Sequence, residues 1–325
     1  MFTAVSPLVW TLTAVGFLTI VVLDLVVIGR RDAAVSIRQA TGWVVFYVCL
    51  AAVFAVGLFA LRSSTIGSEF VAGYITEYTL SVDNLFVFLI ILSRFAVPAL
   101  AVDKVLYIGI IVSMFLRGAF IAAGAAAISA ASWIFYFFGA FLVYTAVRLA
   151  FEGENDEEDF QEGRVLRGIR RALPLTPGHV GTALITRVDG RRMVTPLVIV
   201  IAAIGIANVV FALDSIPAIF GLTTDPYVVL TANAFALLGL RQLYFLIGGL
   251  LERLVYLNIG LSVVLGFIGI KLVIEALHGS HIATLGPVPL PEIGIVASLT
   301  FILGTLLVTT LASLAKTRRD LRASA

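Results

Sequence analysis

Nine long apolar stretches dominate the sequence and limit the chain to one class of fold. Each has about 20 residues or more, the length that an α-helix needs to cross a bilayer. They run over 8–28, 41–61, 70–93, 105–128, 131–150, 196–219, 228–250, 255–277 and 292–314. Only 13% of the residues are charged, against about 25% in soluble domains. The sequence therefore predicts an all-α polytopic membrane protein with about nine transmembrane helices.

Basic residues are concentrated in alternate loops, which predicts how the chain is oriented. They are Arg30, Arg31, Arg38, Arg94, Lys104, seven arginines between 164 and 192, Arg253, Lys316, Arg318, Arg319 and Arg322. The opposite loops carry only Arg62. Because basic loops stay in the cytoplasm, we expect the N-terminus outside and the C-terminus in the cytoplasm. No basic residue precedes Arg30, so we expect the first stretch to be a retained span rather than a cleaved signal peptide.

Polar residues inside the spans recur in the same order in two parts of the chain. Glu77 precedes Asp83 by six positions, as Asn208 precedes Asp214. The order continues with the pairs Asn84 and Ser215, Arg117 and Arg241, and Arg148 and Lys271, at offsets of 131, 124 and 123 positions. Because three spans make an odd unit, the second copy would cross the membrane upside down. This pattern predicts an inverted 3+3 helix repeat, an architecture of secondary transporters.

The repeat and the polar segment between its halves divide the chain into five parts. They are the first two spans (1–69), the first three-helix repeat (70–150), a charged cytoplasmic linker (151–195), the inverted second repeat (196–277), and an outer loop, ninth span and basic cytoplasmic tail (278–325). The linker contains an acidic run and then an arginine-rich stretch. Such charge runs are typical of solvated segments; a cation-gathering or regulatory role is the second interpretation.

Carboxylates inside the spans are the candidate functional residues, because an ionisable group is costly at that depth. Asp83 and Asp214 provide one such group from each half of the repeat. We expect Asn84, Ser215 and Glu77 to complete or flank an oxygen-ligand shell around them. Oxygen ligands suit Mg, Ca or Mn, whereas zinc and copper favour His or Cys. The chain has only three His and one Cys, so these spacings predict a site for a hard divalent cation.

A proline in the sixth span is expected to shape this site. Pro217 follows Asp214 by three residues and lacks the N–H that continues a helix. We expect a helix break there that frees the carbonyl of Leu213 as a further ligand.

Two arginines within spans affect the charge of the site. Arg117 and Arg241 would balance the acids, and a purely structural set of buried ion pairs is the alternative interpretation. Asp24, near the inner end of the first span, is either a partner of Arg30 and Arg31 or a ligand. If all four span acids ionise, they exceed the two arginines by two charges, which a divalent cation or two protons would balance.

Several motifs in the chain resemble those of a known family. They are Leu23-Asp24-Leu25, Glu69-Phe70 with Gly73-Tyr74, Glu77, 80–88, Val105-Leu106, Arg117, 211–218, Asn233, 239–245 and Lys271. These motifs resemble the TerC family of bacterial membrane proteins, within the LysE-type transporter superfamily, over most of 10–277. The resemblance implies manganese export across the bacterial cytoplasmic (inner) membrane, with links to tellurite resistance and metal homeostasis. It also implies acids where this chain has Gly205 and Asn208, and a Lys where it has Tyr78.

The sequence favours a transporter over an enzyme. No G-x-x-x-x-G-K-[ST] motif for ATP occurs, so ion gradients, with protons as counter-ion, would supply the energy. The expected partners are the lipid bilayer and a transported divalent cation, Mn²⁺ before Ca²⁺ or Mg²⁺, with no tightly bound cofactor, no catalytic residue and no nucleic acid. The alternatives are an intramembrane aspartyl protease, whose G-x-G-D motif is absent, and a non-transporting scaffold. The single Cys49 excludes an intrachain disulfide.

Overall fold

Helices are the expected form of this chain, because a membrane-spanning helix satisfies its backbone hydrogen bonds within one segment. The computed structural model is accordingly built mainly of helices. It describes residues 5–28, 37–130, 133–151, 164–188, 191–247, 255–280, 282, 284–285 and 288–323.

Eleven helices lie in this described part of the chain. They are α1 (Pro7–Ile28), α2 (Ile37–Leu61), α3 (Ser64–Arg94), α4 (Ala99–Ala130), α5 (Ile134–Phe151), α6 (Arg164–Ala172), α7 (Pro196–Phe220), α8 (Pro226–Leu237), α9 (Leu240–Ile247), α10 (Leu257–Gly279) and α11 (Ile295–Ala323). Within those ranges, eight segments are long and apolar enough to cross a membrane: α2, α3, α4, α5, α7, α8 with α9, α10 and α11. The apolar part of α1, Pro7–Leu23, is shorter. The all-α polytopic membrane fold is confirmed, and the count of nine spans stays a prediction.

The predicted seventh span, 228–250, contains two helices rather than one. The chain leaves helical geometry at Leu238 (φ −64°, ψ 130°) and turns at Gly239, whose φ is +85°. A Cβ atom on Gly239 would lie 2.9 Å from Cδ2 of Tyr47 in α2. Position 239 therefore requires glycine for two reasons: the backbone is left-handed there, and α2 approaches too closely for a Cβ atom.

The long helix α3 lies among several neighbours, with α2, α7, α8 and α11 packed against it. On α4, the positions of Gly109 and Gly124 lie against Ile204 and Phe220 of α7, so α4 and α7 run parallel. The pair α5 and α10 packs through glycines that let the two backbones touch. A buried apolar cluster joins α3, α4 and α7 and extends to α6 and α9.

The described residues of the predicted linker, 151–195, form a helix and a hairpin, while most of their side chains are exposed. Helix α6 buries Leu166 in the cluster that joins α3, α4 and α7. An antiparallel hairpin follows, with β1 (Ile185–Val188) paired to β2 (Arg191–Val194). The charge pattern did not predict this docking, because the apolar residues that pack the segment against the spans lie between the arginines. The acidic run at 152–162 lies outside the described residues.

A second, shorter hairpin precedes the last helix. Strand β3 (Thr284–Leu285) pairs antiparallel with β4 (Val288–Pro289), with Leu285 opposite Val288. It lies in the predicted outer loop.

Candidate functional site

A buried ion pair bridges α3 and α4. Arg117 of α4 donates to the carboxylate of Glu77 of α3, and their side chains are 1% and 0% exposed. The side-chain oxygen of Asn84 accepts from Nη2 of Arg117 at 3.2 Å, while its nitrogen donates to the Leu80 carbonyl at 3.1 Å. The structure therefore brings together Glu77, Asn84 and Arg117 from the predicted set.

Four hydroxyl groups lie buried on α3, α4 and α7. Thr76 and Ser81 of α3, Ser113 of α4 and Ser215 of α7 have no hydrogen-bond partner among the described residues. A buried hydroxyl without a partner costs about 1–3 kcal/mol, so such groups in a native protein call for an explanation. Together they add uncharged oxygen atoms to the buried interior of the helix bundle.

The position of Ser215 follows from its neighbours on the same face of α7. Phe211 contacts Phe88 of α3, with 6.5 Å between ring centroids, and Ala218 packs in one cluster with Ala72 of α3. Because residues three and four positions apart share a helix face, Ser215 lies at the α3–α7 interface.

Asp214 contacts a different helix from its neighbour Ser215. Thr145 of α5 donates through Oγ1 to Oδ1 of Asp214 at 3.2 Å, and Arg148 of α5 lies within electrostatic range of the same carboxylate. Asp214 is partly buried. The predicted oxygen shell is thus distributed over two interfaces, with Asp214 toward α5 and Ser215 toward α3.

Two of the predicted site residues lie partly outside the description. The backbones of Asp24 and Asp83 belong to α1 and α3, but their side chains are outside the described residues. The pairing of Asp83 with Asp214 therefore stays a prediction. Among the described residues, no group of three or more His, Cys, Asp and Glu side chains is arranged to hold a metal ion.

Pro217 does not interrupt its helix. Helix α7 continues through Pro217 and ends at Phe220. The prediction of a helix break at Pro217 is therefore wrong. The absent N–H of Pro217 still deprives the Leu213 carbonyl of its usual helical donor. The discontinuity of the second half lies instead at Leu238–Gly239, between α8 and α9.

Arg241 has a partner, Asp103, that the sequence did not predict. Its Nε lies 2.9 Å from Oδ1 of Asp103 and its Nη2 lies 3.3 Å from Oδ2. Since α9 begins at Leu240 and packs beside α4, Arg241 reaches the start of α4. Asp103 is a residue that the sequence reasoning missed, because it lies just before the apolar stretch of its span.

A further polar network lies between the start of α3, the end of α7 and α10. Thr223 donates to Oε2 of Glu69 at 2.5 Å, and Nζ of Lys271 donates to the Gly221 carbonyl at 2.9 Å. Glu275 interacts electrostatically with both Glu69 and Lys271. Lys271 is only 6% exposed, so this network places a second set of ionisable groups inside the helix bundle.

Comparison with known proteins identifies the family to which the chain belongs. The model of the family described as "Integral membrane protein TerC family" matches residues 62–321. The chain belongs to the TerC family. No solved structure matches it.

Relatives of this TerC-family chain cover nearly all of it. An uncharacterised membrane protein of Mycobacterium tuberculosis (strain ATCC 25618 / H37Rv) is 44% identical over 314 residues, which are 95% of this chain and 79% of the relative. Alx of Escherichia coli (strain K12), provisionally named a membrane-bound redox modulator, is 39% identical over 292 residues, 87% of this chain and 91% of Alx. The TerC-family chain is a multi-pass integral membrane protein with bacterial relatives.

Proposed function

We propose that this TerC-family protein is a secondary transporter that exports a divalent metal ion, Mn²⁺, from the cytoplasm in exchange for protons. In this proposal it lies in the bacterial inner membrane, with its N-terminus outside and its C-terminus in the cytoplasm. The cation and the protons are substrates, and the lipid bilayer is the constant partner.

The observation that carries the proposal is the set of oxygen atoms buried inside the bundle. Glu77, Asn84 and Ser81 on α3, Ser113 on α4 and Ser215 on α7 are all buried, and the three hydroxyls have no partner among the described residues. Ionisable groups at membrane depth usually belong to an ion or substrate pathway. Carboxylate, amide and hydroxyl oxygens are the ligand types that hard divalent cations bind.

The charge balance supports the same conclusion. Arg117 neutralises Glu77, and Arg241 neutralises Asp103. In this proposal Asp83 and Asp214 supply the negative charge that binds the cation, and Arg148 lies within electrostatic range of Asp214. A divalent ion or two protons would bind at the same groups, which is the competition that an exchange mechanism requires.

Contacts between helices support an inverted repeat. Val143 of α5 lies against Gly269 of α10, and Ala146 of α5 lies against Gly266 of α10. With the repeat offset of 123 positions, Val143 is equivalent to Gly266 and Ala146 is equivalent to Gly269. The repeat symmetry therefore maps each of the two contacts onto the other. Such reciprocal contacts are expected when two equivalent helices are related by a twofold axis in the membrane plane.

The interrupted helix α8–α9 also supports a transporter. Discontinuous spans line the substrate sites of many secondary transporters. Here the break at Gly239 lies in the same half as Asp214 and begins the helix that carries Arg241. The choice of Mn²⁺ before Ca²⁺ or Mg²⁺ comes from the family resemblance of the Asp motifs, since all three ions favour oxygen ligands.

Transport measurements in proteoliposomes test the proposal. Entrapped calcein reports Mn²⁺ movement, and a pH-sensitive dye reports protons. We expect Asp83→Asn and Asp214→Asn to lower Mn²⁺ transport about tenfold or more, since losing one charged ligand costs at least about 1.4 kcal/mol. Glu292→Gln, an equivalent change at an exposed carboxylate, serves as the control. Normal transport by both Asp variants, verified as folded, would show that the site lies elsewhere.

The provisional name of the Alx relatives raises a redox role as a second function. Cys49 is the single cysteine of this chain, on an exposed face of α2, so no intrachain disulfide can form. We propose that any redox effect follows from metal transport. Asp214→Asn would then abolish the effect and Cys49→Ser would retain it; the opposite result would favour thiol chemistry.

A further inference from the structure

A cavity of about 540 Å³ lies at the end of the helix bundle where the folded segment 164–195 meets the spans. Its walls come from the last turn of α3, from α6, from the turn at 175–179 and from the first turn of α7. None of the predicted metal ligands lies there, so the cavity is separate from the proposed transport site.

Among the described residues that line this cavity, the ionisable side chains are two arginines and one histidine. Arg94 of α3 and Arg170 of α6 reach it from two helices, and the ring of His179 forms part of the wall. The described residues that line it include no carboxylate. A cleft lined by one sign of charge attracts ions of the opposite sign.

Hydrogen bonds hold the wall of the cavity in place. Nε2 of His179 lies 2.9 Å from the carbonyl oxygen of Phe95, at the end of α3. The backbone N–H of Thr176 donates to the Val194 carbonyl at 2.9 Å, and its Oγ1 donates to the Gly178 carbonyl at 2.8 Å. The turn is therefore fixed on both sides, and it forms one wall of the cavity that the two arginines also line.

We propose that this cavity binds a phosphate group. The planar fork of an arginine donates two parallel hydrogen bonds to phosphate oxygens, and Arg94 and Arg170 approach from different helices. Arg94 ends α3 and Pro196 begins α7, so the cavity lies at the membrane surface, at the level of lipid headgroups. The phosphate comes either from the headgroup of an anionic phospholipid or from a soluble anion.

Two binding experiments on the full-length purified protein distinguish these sources. Native mass spectrometry counts phosphatidylglycerol molecules retained after detergent exchange, and calorimetric titration measures binding of inorganic phosphate. The variants are Arg94→Gln and Arg170→Gln. Arg167→Gln is the matched control, since Arg167 is exposed on α6 but does not line the cavity.

We expect each cavity variant to weaken binding about fivefold to tenfold, the effect of losing a charge-assisted hydrogen bond, and Arg167→Gln to leave it unchanged. Loss of phosphatidylglycerol alone identifies the lipid as the source, and loss of inorganic phosphate binding identifies a soluble anion. If wild-type protein binds neither, or if Arg167→Gln weakens binding as much as the other two, the proposal is wrong. Elution in size-exclusion chromatography confirms that each variant is folded.

Discussion

Glu77 of α3 and Arg117 of α4 form an ion pair whose side chains are 0% and 1% exposed. The pair links two helices that are consecutive in the chain, and the flanking Asn84 amide accepts from the same guanidinium. Each charge depends on the other, since an ion left alone in this interior would keep its full desolvation penalty.

Removing one member of this pair should therefore destabilise the protein more than removing both. We expect Glu77→Gln and Arg117→Met to lower the free energy of unfolding by about 3–5 kcal/mol each, the usual effect of an unpaired buried charge. The double variant should lose much less than the sum of these losses. Thermal unfolding of detergent-solubilised protein measures all three, and additive losses would contradict a direct coupling of the two charges.

The sequence located the members of this pair but did not identify Asp103 as a partner of the second arginine, Arg241. Repeat spacing placed Arg117 and Arg241 at equivalent positions, and by analogy both were expected beside span acids. The repeat partner of Glu77 is Asn208, which carries no charge and donates weakly to the Gly109 carbonyl at 3.5 Å. Arg241 pairs with Asp103, and only the tertiary packing of α9 on α4 reveals this.

The contact between Gly139 of α5 and Gly269 of α10 should tolerate no side chain. A Cβ atom on Gly139 would lie 2.8 Å from the Gly269 carbonyl oxygen, and one on Gly269 would lie 2.9 Å from the Gly139 carbonyl oxygen. Backbone atoms cannot move aside cheaply, so Gly139→Ala or Gly269→Ala should separate the helices and lower stability by about 1–3 kcal/mol, as overpacking does.

The matched control for these variants is Gly118→Ala in α4, where a Cβ atom meets no heavy atom within 4 Å. Thermal unfolding should show Gly118→Ala at or above the wild-type midpoint, because alanine favours helix over glycine. Equal behaviour of all three variants would show that the two helices are less closely packed than the structure indicates.

Gly239 should be intolerant for a different reason. Its φ of +85° is a conformation that a residue with a Cβ atom adopts only with strain of about 1–3 kcal/mol, and Tyr47 occupies the space that the Cβ atom would need. Gly239→Ala should therefore disturb the junction of α8 and α9. Gly42→Ala in α2, with open space around it, should not. We expect Gly239→Ala to lower both the unfolding temperature and Mn²⁺ transport in proteoliposomes.

The segment 164–195 shows where sequence reasoning fails for a second physical reason. Those of its arginine side chains that the structure describes are exposed, as charge density predicts, but three apolar residues at helical spacing, Leu166, Ile169 and Leu173, pack against the membrane spans. The backbone of Thr195 then donates to the Leu184 carbonyl, which fixes the hairpin at the start of α7. These contacts join residues that are distant in sequence, so they cannot be predicted from composition.

The bond between His179 and the Phe95 carbonyl should hold this segment against the bundle. The His179→Phe variant loses this hydrogen bond, which contributes about 1 kcal/mol. The population of molecules in which segment 164–195 is locally open should therefore increase about fivefold. Limited trypsin digestion at Arg187, Arg191 and Arg192 measures that opening. His278→Phe, at the end of α10, is the control and should be cleaved at the wild-type rate. Unchanged cleavage of His179→Phe would mean that the hairpin contacts alone fix the segment.

Thr145 should control transport through Asp214. Its hydroxyl donates to Oδ1 of Asp214 at 3.2 Å and so orients the carboxylate. Thr145→Val keeps the shape but removes the donor, and losing about 1 kcal/mol of hydrogen bonding should raise the Mn²⁺ concentration for half-maximal transport about fivefold, whereas Thr145→Ser should retain wild-type values. Thr79→Val is the control, because Thr79 donates only to the Ile75 carbonyl of its own helix. If Thr145→Val transports Mn²⁺ as wild type does, Asp214 does not bind the ion in the orientation seen here, since a ligand that reorients freely gains nothing from this donor.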